Sequence, residues 1–405
     1  MKLIGPFKQI ITINNLSMRG KLSDDQLEII ENGGIVVHEN KIQKVGNFEN
    51  LKSEIFEIEE ISGTKVVLPA FIDSHTHICF GGNRANDFAM RNAGKTYLEI
   101  AEAGGGIWSS VQHTRNASEE QLLESLLERI NSLVSLGITT IEVKSGYGLN
   151  KEEELKMLRT IKKAQQKTEA TLVPTCLSAH LKPKDFEGDN QKYLNYILSE
   201  ILPIVKEENL AKRVDIFIEK SAFQPEESKE FLLAAKKLGF EITVHADQFT
   251  AGSSRIAVEV GAISADHLEA TADEDIEFLA NSETVATTLP GASLGLGEPF
   301  TPARKLLDKG AILAIASDWN PGSAPMGNLI VQASILATFQ KLTTAEVLAG
   351  ITFRAAKALN LEDRGIIAEG KKADFVVFET DNFQNILYQQ GSLKASEVYI
   401  NGNKI

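Results

Sequence analysis

The sequence is poor in cysteine: only Cys79 and Cys176 occur, which excludes a disulfide framework and a cysteine-based zinc cluster. No run of 18 consecutive apolar residues is present, and the opening MKLIGPFKQIITINN lacks the apolar core of a signal peptide. A soluble, cytoplasmic protein is the expectation. Positive charge is in deficit, with 42 Lys+Arg against 55 Asp+Glu and a net charge of −13. That argues against nucleic acid or an anionic membrane as partner, since both are bound through clustered basic residues. A small anionic substrate is still compatible, because one local arginine overcomes a distant negative background. No 20–50-residue repeat and no low-complexity tract occurs. What remains is ordinary globular composition, 43% hydrophobic and 24% charged over 405 residues.

Short β-rich runs bounded by Asn and Gly stand at both ends of the chain. KQIITI, GGIVVHEN and KIQKVGNF lie near the start, ADFVVFE and SEVYINGNKI near the end. They predict a small β-sandwich built from both termini, residues 1–65 and 361–405. Between them, residues 66–360 alternate strand and helix eight times. The strand candidates are VVLPAFIDSHTH, ITTIEVKSG, ATLVPTCLSAH, RVDIFIEK, FEITVHADQ, AISADHLE, TVATTLPG and AILAIASDWN. Most are continuous apolar runs, as parallel strands covered on both faces require. Leu122, Leu126, Ile130, Leu133 and Val134 share one helical face. Asn150 with Glu153 reads as a capping box, and Pro225 with Gly239 brackets a further helix. Eight such alternations predict a (β/α)8 TIM barrel. The connection over 78–120, with Gly104-Gly105-Gly106, is long enough to serve as a lid or binding loop.

In such a barrel, reactive groups gather at the C-terminal ends of the strands. The first strand ends Asp73-Ser74-His75-Thr76-His77, and a period of two puts His75 and His77 on one face. The fifth ends at His245 and the eighth at Asp318. Three imidazoles and one carboxylate at one barrel mouth suit a zinc or iron ion, with room left for water.

FIDSHTH, VHADQ, SADH and SDWNPGS, in that order, resemble the metal-dependent amidohydrolase superfamily. FGGNR (80–84), GGGI (104–107), EVKSGYGL (142–149) and SAH (178–180) narrow the likeness to its branch that opens an imidazolone ring in histidine degradation. The resemblance spans nearly the whole chain. It implies hydrolysis of 4-imidazolone-5-propanoate to N-formimidoyl-L-glutamate by metal-activated water, one divalent ion (zinc or iron) per subunit, and, from likeness to relatives alone, a homodimer. His75, His77, His245 and Asp318 would hold the metal, with Asp318 also moving protons. His267 would orient water or carbonyl, or else stand behind the ligands bonded to backbone. Asp73 could likewise stand behind them, although a carboxylate tying strands together is the better reading.

For the substrate, the resemblance implies Arg84 against the carboxylate tail, where a guanidinium makes two parallel bonds. It also implies Tyr147, Gln248, Asn320, Gly322 and Ser323 around the ligand, with Gly322 permitting close backbone approach. His180 would polarise the ring carbonyl or hold a ring nitrogen. Gln248 stands where many deaminases carry Glu and cannot be a general base. Lys220 ends the fourth strand, where binuclear relatives bridge two metals through a carboxylated lysine; FIEKSAF does not look like that motif, and a solvated lysine is expected. Two rivals share the ligand pattern: a metal-dependent deaminase of a nucleobase or related azaheterocycle, and a catalytically dead barrel used for binding.

Overall fold

The computed structural model describes residues 1–53 and 57–405, with the backbone alone at 97, 98 and 101. Two eight-stranded sheets organise it. The first contains β1 (Lys2–Ile11), β2 (Ile29–His38), β3 (Lys41–Asn47), β4 (Glu57–Glu60) and β5 (Val66–Pro69). The second runs from β6 (Phe71–Asp73) through β7 (Ile138–Lys144), β8 (Thr171–Ala179), β9 (Arg213–Ile216), β10 (Glu241–Ala246), β11 (Ser264–His267) and β12 (Val285–Thr288) to β13 (Leu313–Ile315). The chain then returns to the first sheet through β14 (Phe375–Phe378), β15 (Ala395–Ile400) and β16 (Asn403–Lys404).

The second sheet follows chain order from β6 to β13 with every pairing parallel. A parallel bridge between Thr76 and Trp319 laces the first strand to the eighth. His77 N donates to Trp319 O at 2.9 Å and Asp318 N to His75 O at 3.0 Å across the same seam. The predicted TIM barrel is thus present, and each of the eight strand candidates contributes one strand. The helix over Glu119–Ser135 buries Leu122, Leu126, Ile130, Leu133 and Val134. Asn150 caps the helix Lys151–Gln165 by accepting from Glu153 N at 2.9 Å. The Glu153 carboxylate does not reach back to complete the box; it pairs with Lys156.

The strands of the termini run in the order β16-β15-β14-β5-β1-β2-β3, with β4 beside β1. A bridge from Lys41 to Lys372 ties β3 to the segment ahead of β14, so the sheet curls over a core of its own. Alternation divides its side chains between two cores. Val67, Phe375 and Val377 join Ile4, Phe7 and Ile10 in the inner core, while Val66, Leu68, Val376 and Phe378 pack on the barrel. One expectation is corrected here. The run from Val66 is two strands, not one: β5 pairs with β1 and β14, and only β6 enters the barrel. Residues 66–69 therefore belong with the sheet of the termini. Both stretches are buried on both faces, so nothing in their hydropathy marks the handover at Ala70.

Candidate metal centre and substrate cavity

His75 and His77 leave β6 with their rings inward, and His245 reaches them from β10. His75 Nε2 and His245 Nε2 each lie 3.2 Å from His77 Nε2. Asp318 Oδ1, from the turn after β13, lies 3.5 Å from both His75 Nε2 and His77 Nε2. All four side chains are at most 4% exposed. Burial holds the His75 and His77 imidazoles well below their ordinary pKa, and lowers His245 to about 4 against the opposing pull of Asp215. Neutral imidazoles carry a lone pair, and lone pairs facing one another and a carboxylate oxygen at this spacing call for a cation among them. A tetrahedral zinc shell with bonds of about 2.0–2.1 Å sets its donors about 3.3–3.4 Å apart. The four separations found here, 3.2–3.5 Å, are compatible with that spacing.

Other buried groups hold these imidazoles in register. His75 Nδ1 donates to Asp266 Oδ2 at 2.7 Å, and His245 Nδ1 lies 2.9 Å from Asp215 Oδ2. Each carboxylate fixes the tautomer that turns Nε2 toward the centre. Beneath them Lys144 Nζ sits 2.8 Å from Asp215 Oδ2, 2.8 Å from Glu142 Oε2 and 3.8 Å from Asp266 Oδ2. Burial opposes the Lys144 charge, but the three carboxylates outweigh it and push its pKa up. None of Lys144, Glu142, Asp215 and Asp266 was singled out from sequence. The signal was a charged residue inside an apolar strand, which must be paired; which partner it finds depends on register.

His267 stands beside this group, its ring centroid 5.2 Å from His245 and 5.7 Å from His75. Asp266 already faces inward, so strict alternation would turn His267 away. His267 and Leu268 instead take φ values of 85° and 69°, a left-handed pair that breaks the extended geometry. Two consecutive side chains thereby face the barrel mouth. Burial disfavours a charged His267, yet Glu269, with Oε1 at 3.4 Å from Nδ1, raises its pKa overall. Asp73 accepts from Ser317 N at 2.9 Å. It ties β6 to the chain beyond β13, and burial lifts its pKa to about 7.

A cavity of about 390 Å³ opens above the centre, lined by His77, Arg84, Tyr147, His180, Gln248, Asn320 and Ser323 among others. Tyr147 is held by Glu154, whose Oε1 accepts from Gly146, Gly148 and Leu149 N at 3.1, 2.8 and 2.9 Å. Glu154→Ala would orphan three buried amides, and unfolding is expected to become easier by at least about 2–3 kcal/mol, measured by denaturant titration. His180 Nδ1 donates to Gly146 O at 2.9 Å, and burial lowers its pKa to about 4. Its Nε2 is therefore an acceptor. Gly146 has φ 105°, which brings that carbonyl round to the ring.

The turn after Asp318 is organised by Asn320. Its Oδ1 accepts from Gly322 N and Ser323 N at 2.7 and 2.9 Å. Its Nδ2 donates to Asp318 O, Asp318 Oδ2 and Ser323 Oγ at 2.7, 3.0 and 2.9 Å. The amide expected to touch substrate is thus engaged within the turn and on the Asp318 carboxylate. At Gly322 the close approach is made by the Arg84 guanidinium, which leaves no room for a Cβ.

A sequence model of the amidohydrolase family matches residues 66–405. The chain belongs to the amidohydrolase family. It is 43% identical over 403 residues to an imidazolonepropionase of Fusobacterium nucleatum, covering 98% of this chain and 97% of that one. An imidazolonepropionase of Clostridium tetani is 38% identical over 403 residues, covering 98% and 96%. A guanine deaminase structure from C. acetobutylicum superposes with a TM-score of 0.73 at 16% identity, covering 100% of this chain and 99% of that one. At that identity the likeness speaks for the fold alone. In this amidohydrolase Lys220 is exposed, as a solvated lysine would be. Among the described residues, no helix is long and apolar enough to cross a membrane.

Proposed function

We propose that this amidohydrolase is an imidazolonepropionase: it hydrolyses 4-imidazolone-5-propanoate to N-formimidoyl-L-glutamate, in the cytoplasm, with one zinc or iron ion held by His75, His77, His245 and Asp318. The observation that carries the reading is one cavity lined by His77, His245 and Asp318, with His75 against Asp318 behind them, whose wall also bears Arg84. Near-full-length identity to imidazolonepropionases supports it. A divalent ion in this ligand set supplies Lewis acidity that lowers the pKa of water from 15.7 to about 7.

The protein's own groups then divide the work. Asp318 takes the proton of the attacking water as a bond forms to the ring carbonyl carbon. It returns that proton to the ring nitrogen as the C–N bond breaks, so water is consumed and a carboxylate and an amidine nitrogen appear. Asn320 keeps the Asp318 carboxylate aimed. His180 Nε2 accepts from a ring N–H; a neutral imidazole whose Nδ1–H is already committed cannot donate to the carbonyl. Tyr147 covers the ring, and Gln248 and Ser323 offer polar contacts. Arg84 receives the tail. His267 stands over the reacting carbonyl.

Gln248 has no proton to exchange as a base, which weighs against a deaminase reading. The test is direct. Metal-replete protein is incubated with 4-imidazolone-5-propanoate, and formimidoylglutamate is expected to accumulate, to stop after chelation and to resume on adding zinc or ferrous iron. No product from fully metallated protein, or ammonia released from nucleobases instead, would overturn the reading.

A further inference from the structure

Arg84 is not the uncompensated charge of the cavity. Its Nε donates to Asp87 Oδ2 at 2.8 Å, and Asp87 is only 4% exposed. Asp87 also accepts from Gly106 N at 2.8 Å, which pins the glycine-rich loop to the same carboxylate. With Nε taken by Asp87 and Nη1 against Gly322, Arg84 is rigid, and the Arg84–Asp87 pair is neutral overall. A substrate carboxylate approaching it meets a guanidinium already sharing its charge.

Arg91 is the second guanidinium of the cavity wall. It sits two turns further along the same helix, Ala85–Asn92, with its Cζ 5.9 Å from the Phe88 ring. Its Nε and Nη2 are buried, and neither has a hydrogen-bond partner among the described residues. These two atoms form one edge of the guanidinium plane, the edge that meets both oxygens of a carboxylate at once. Buried donors are satisfied in the great majority of cases, so two adjacent orphans on the rim of a substrate cavity point to a ligand. Burial is the main influence against the Arg91 cation, Arg84 adds to it and Asp87 partly offsets it, leaving the pKa lowered; an arriving anion favours the charged form.

We propose that Arg91 is a specificity-determining residue: its Nε/Nη2 edge grips the substrate's carboxylate tail side-on and supplies the net positive charge that selects an anionic tail, while Arg84, neutralised by Asp87, orients it. The assignment of a carboxylate-tailed substrate rests on the function proposed above; the identity of the gripping residue does not depend on turnover.

The test uses the metal-replete full chain, wild type and the variants Arg91→Gln and Arg91→Lys, with metal content checked in each. Binding of 3-(imidazol-4-yl)propanoate and of its carboxamide is measured by calorimetry, and KM and kcat for the imidazolone by assay. Arg91→Gln is expected to weaken carboxylate binding and raise KM by about 10–100-fold, with kcat changed far less. Its effect on the carboxamide should be under about threefold, and Arg91→Lys should recover part of the loss because it restores charge without the planar edge. Unchanged carboxylate binding in Arg91→Gln, or an equal loss for carboxylate and carboxamide, would overturn the proposal. Wild-type protein that binds the carboxylate probe in an Arg91-dependent way yet turns over no imidazolone would support the grip and refute the proposed reaction.

Discussion

Asp318→Asn should leave a folded, metal-binding protein whose turnover has fallen by about 10²–10⁴-fold, the range that positioned proton transfer contributes. Asp318 sits where two demands meet. One oxygen, Oδ1, faces His75 and His77 at 3.5 Å, and the other accepts from Asn320 Nδ2 at 3.0 Å. Its backbone holds φ 53°, a strained conformation that aims the carboxylate and costs of order 1–3 kcal/mol. Asparagine tolerates that φ and keeps the volume, so folding should be preserved. It offers one acceptor where the carboxylate offers two, and it cannot carry a proton from water to a leaving nitrogen. The three imidazoles still present an ion site, which separates loss of proton transfer from loss of metal. Elemental analysis beside single-turnover kinetics makes the distinction. Normal turnover with metal retained would remove Asp318 from the proton path.

How much of this was legible beforehand depended on whether the signal was periodic. The eight barrel strands announce themselves because parallel strands are largely apolar on both faces and turn polar mainly where they end, so His75, His77, His245 and Asp318 stood out as polar residues at those ends. Parity paired His75 with His77 correctly. The resemblance set His267 beside the metal, but parity puts neighbouring Asp266 on the opposite face, so Asp266 was missed; the positive φ at His267 and Leu268 lets both face the centre. Such a backbone reversal at a histidine and a leucine carries no sequence signature. Arg91 reads as an ordinary residue in the last turn of a surface helix, and its orphaned edge is visible only once the cavity exists. His180 was legible as a strand-end polar group, but its role turns on Nδ1 meeting Gly146 O, a contact between two loops. Asn320 followed by Pro321-Gly322 reads as a turn, and the turn proves to hold the Asp318 carboxylate as well.

The buried ammonium under the centre yields the second large effect. Lys144→Met removes one charge from a cluster in which Glu142, Asp215 and Lys144 are fully buried and Asp266 nearly so. Removing one partner from a buried ion group costs about 3–5 kcal/mol, because the opposite charges are left uncompensated. Here the consequence extends to the ligands. Asp215 and Asp266 can each be relieved by taking up a proton or turning away, and either response loosens His245 or His75. Loss of such supporting contacts typically costs about 10–100-fold in metal affinity. Lys144→Met is therefore expected to lower both the unfolding free energy of the metal-free protein and its zinc affinity, the first read by denaturant titration and the second by competition with a chromophoric chelator. Lys220→Met, at an exposed position, should change neither. If Lys144→Met folds and binds zinc as tightly as the parent, the ammonium merely neutralises buried charge. If zinc affinity falls while Lys220→Met is silent, one lysine on β7 sets the register of two ligands contributed by β10 and the end of β6.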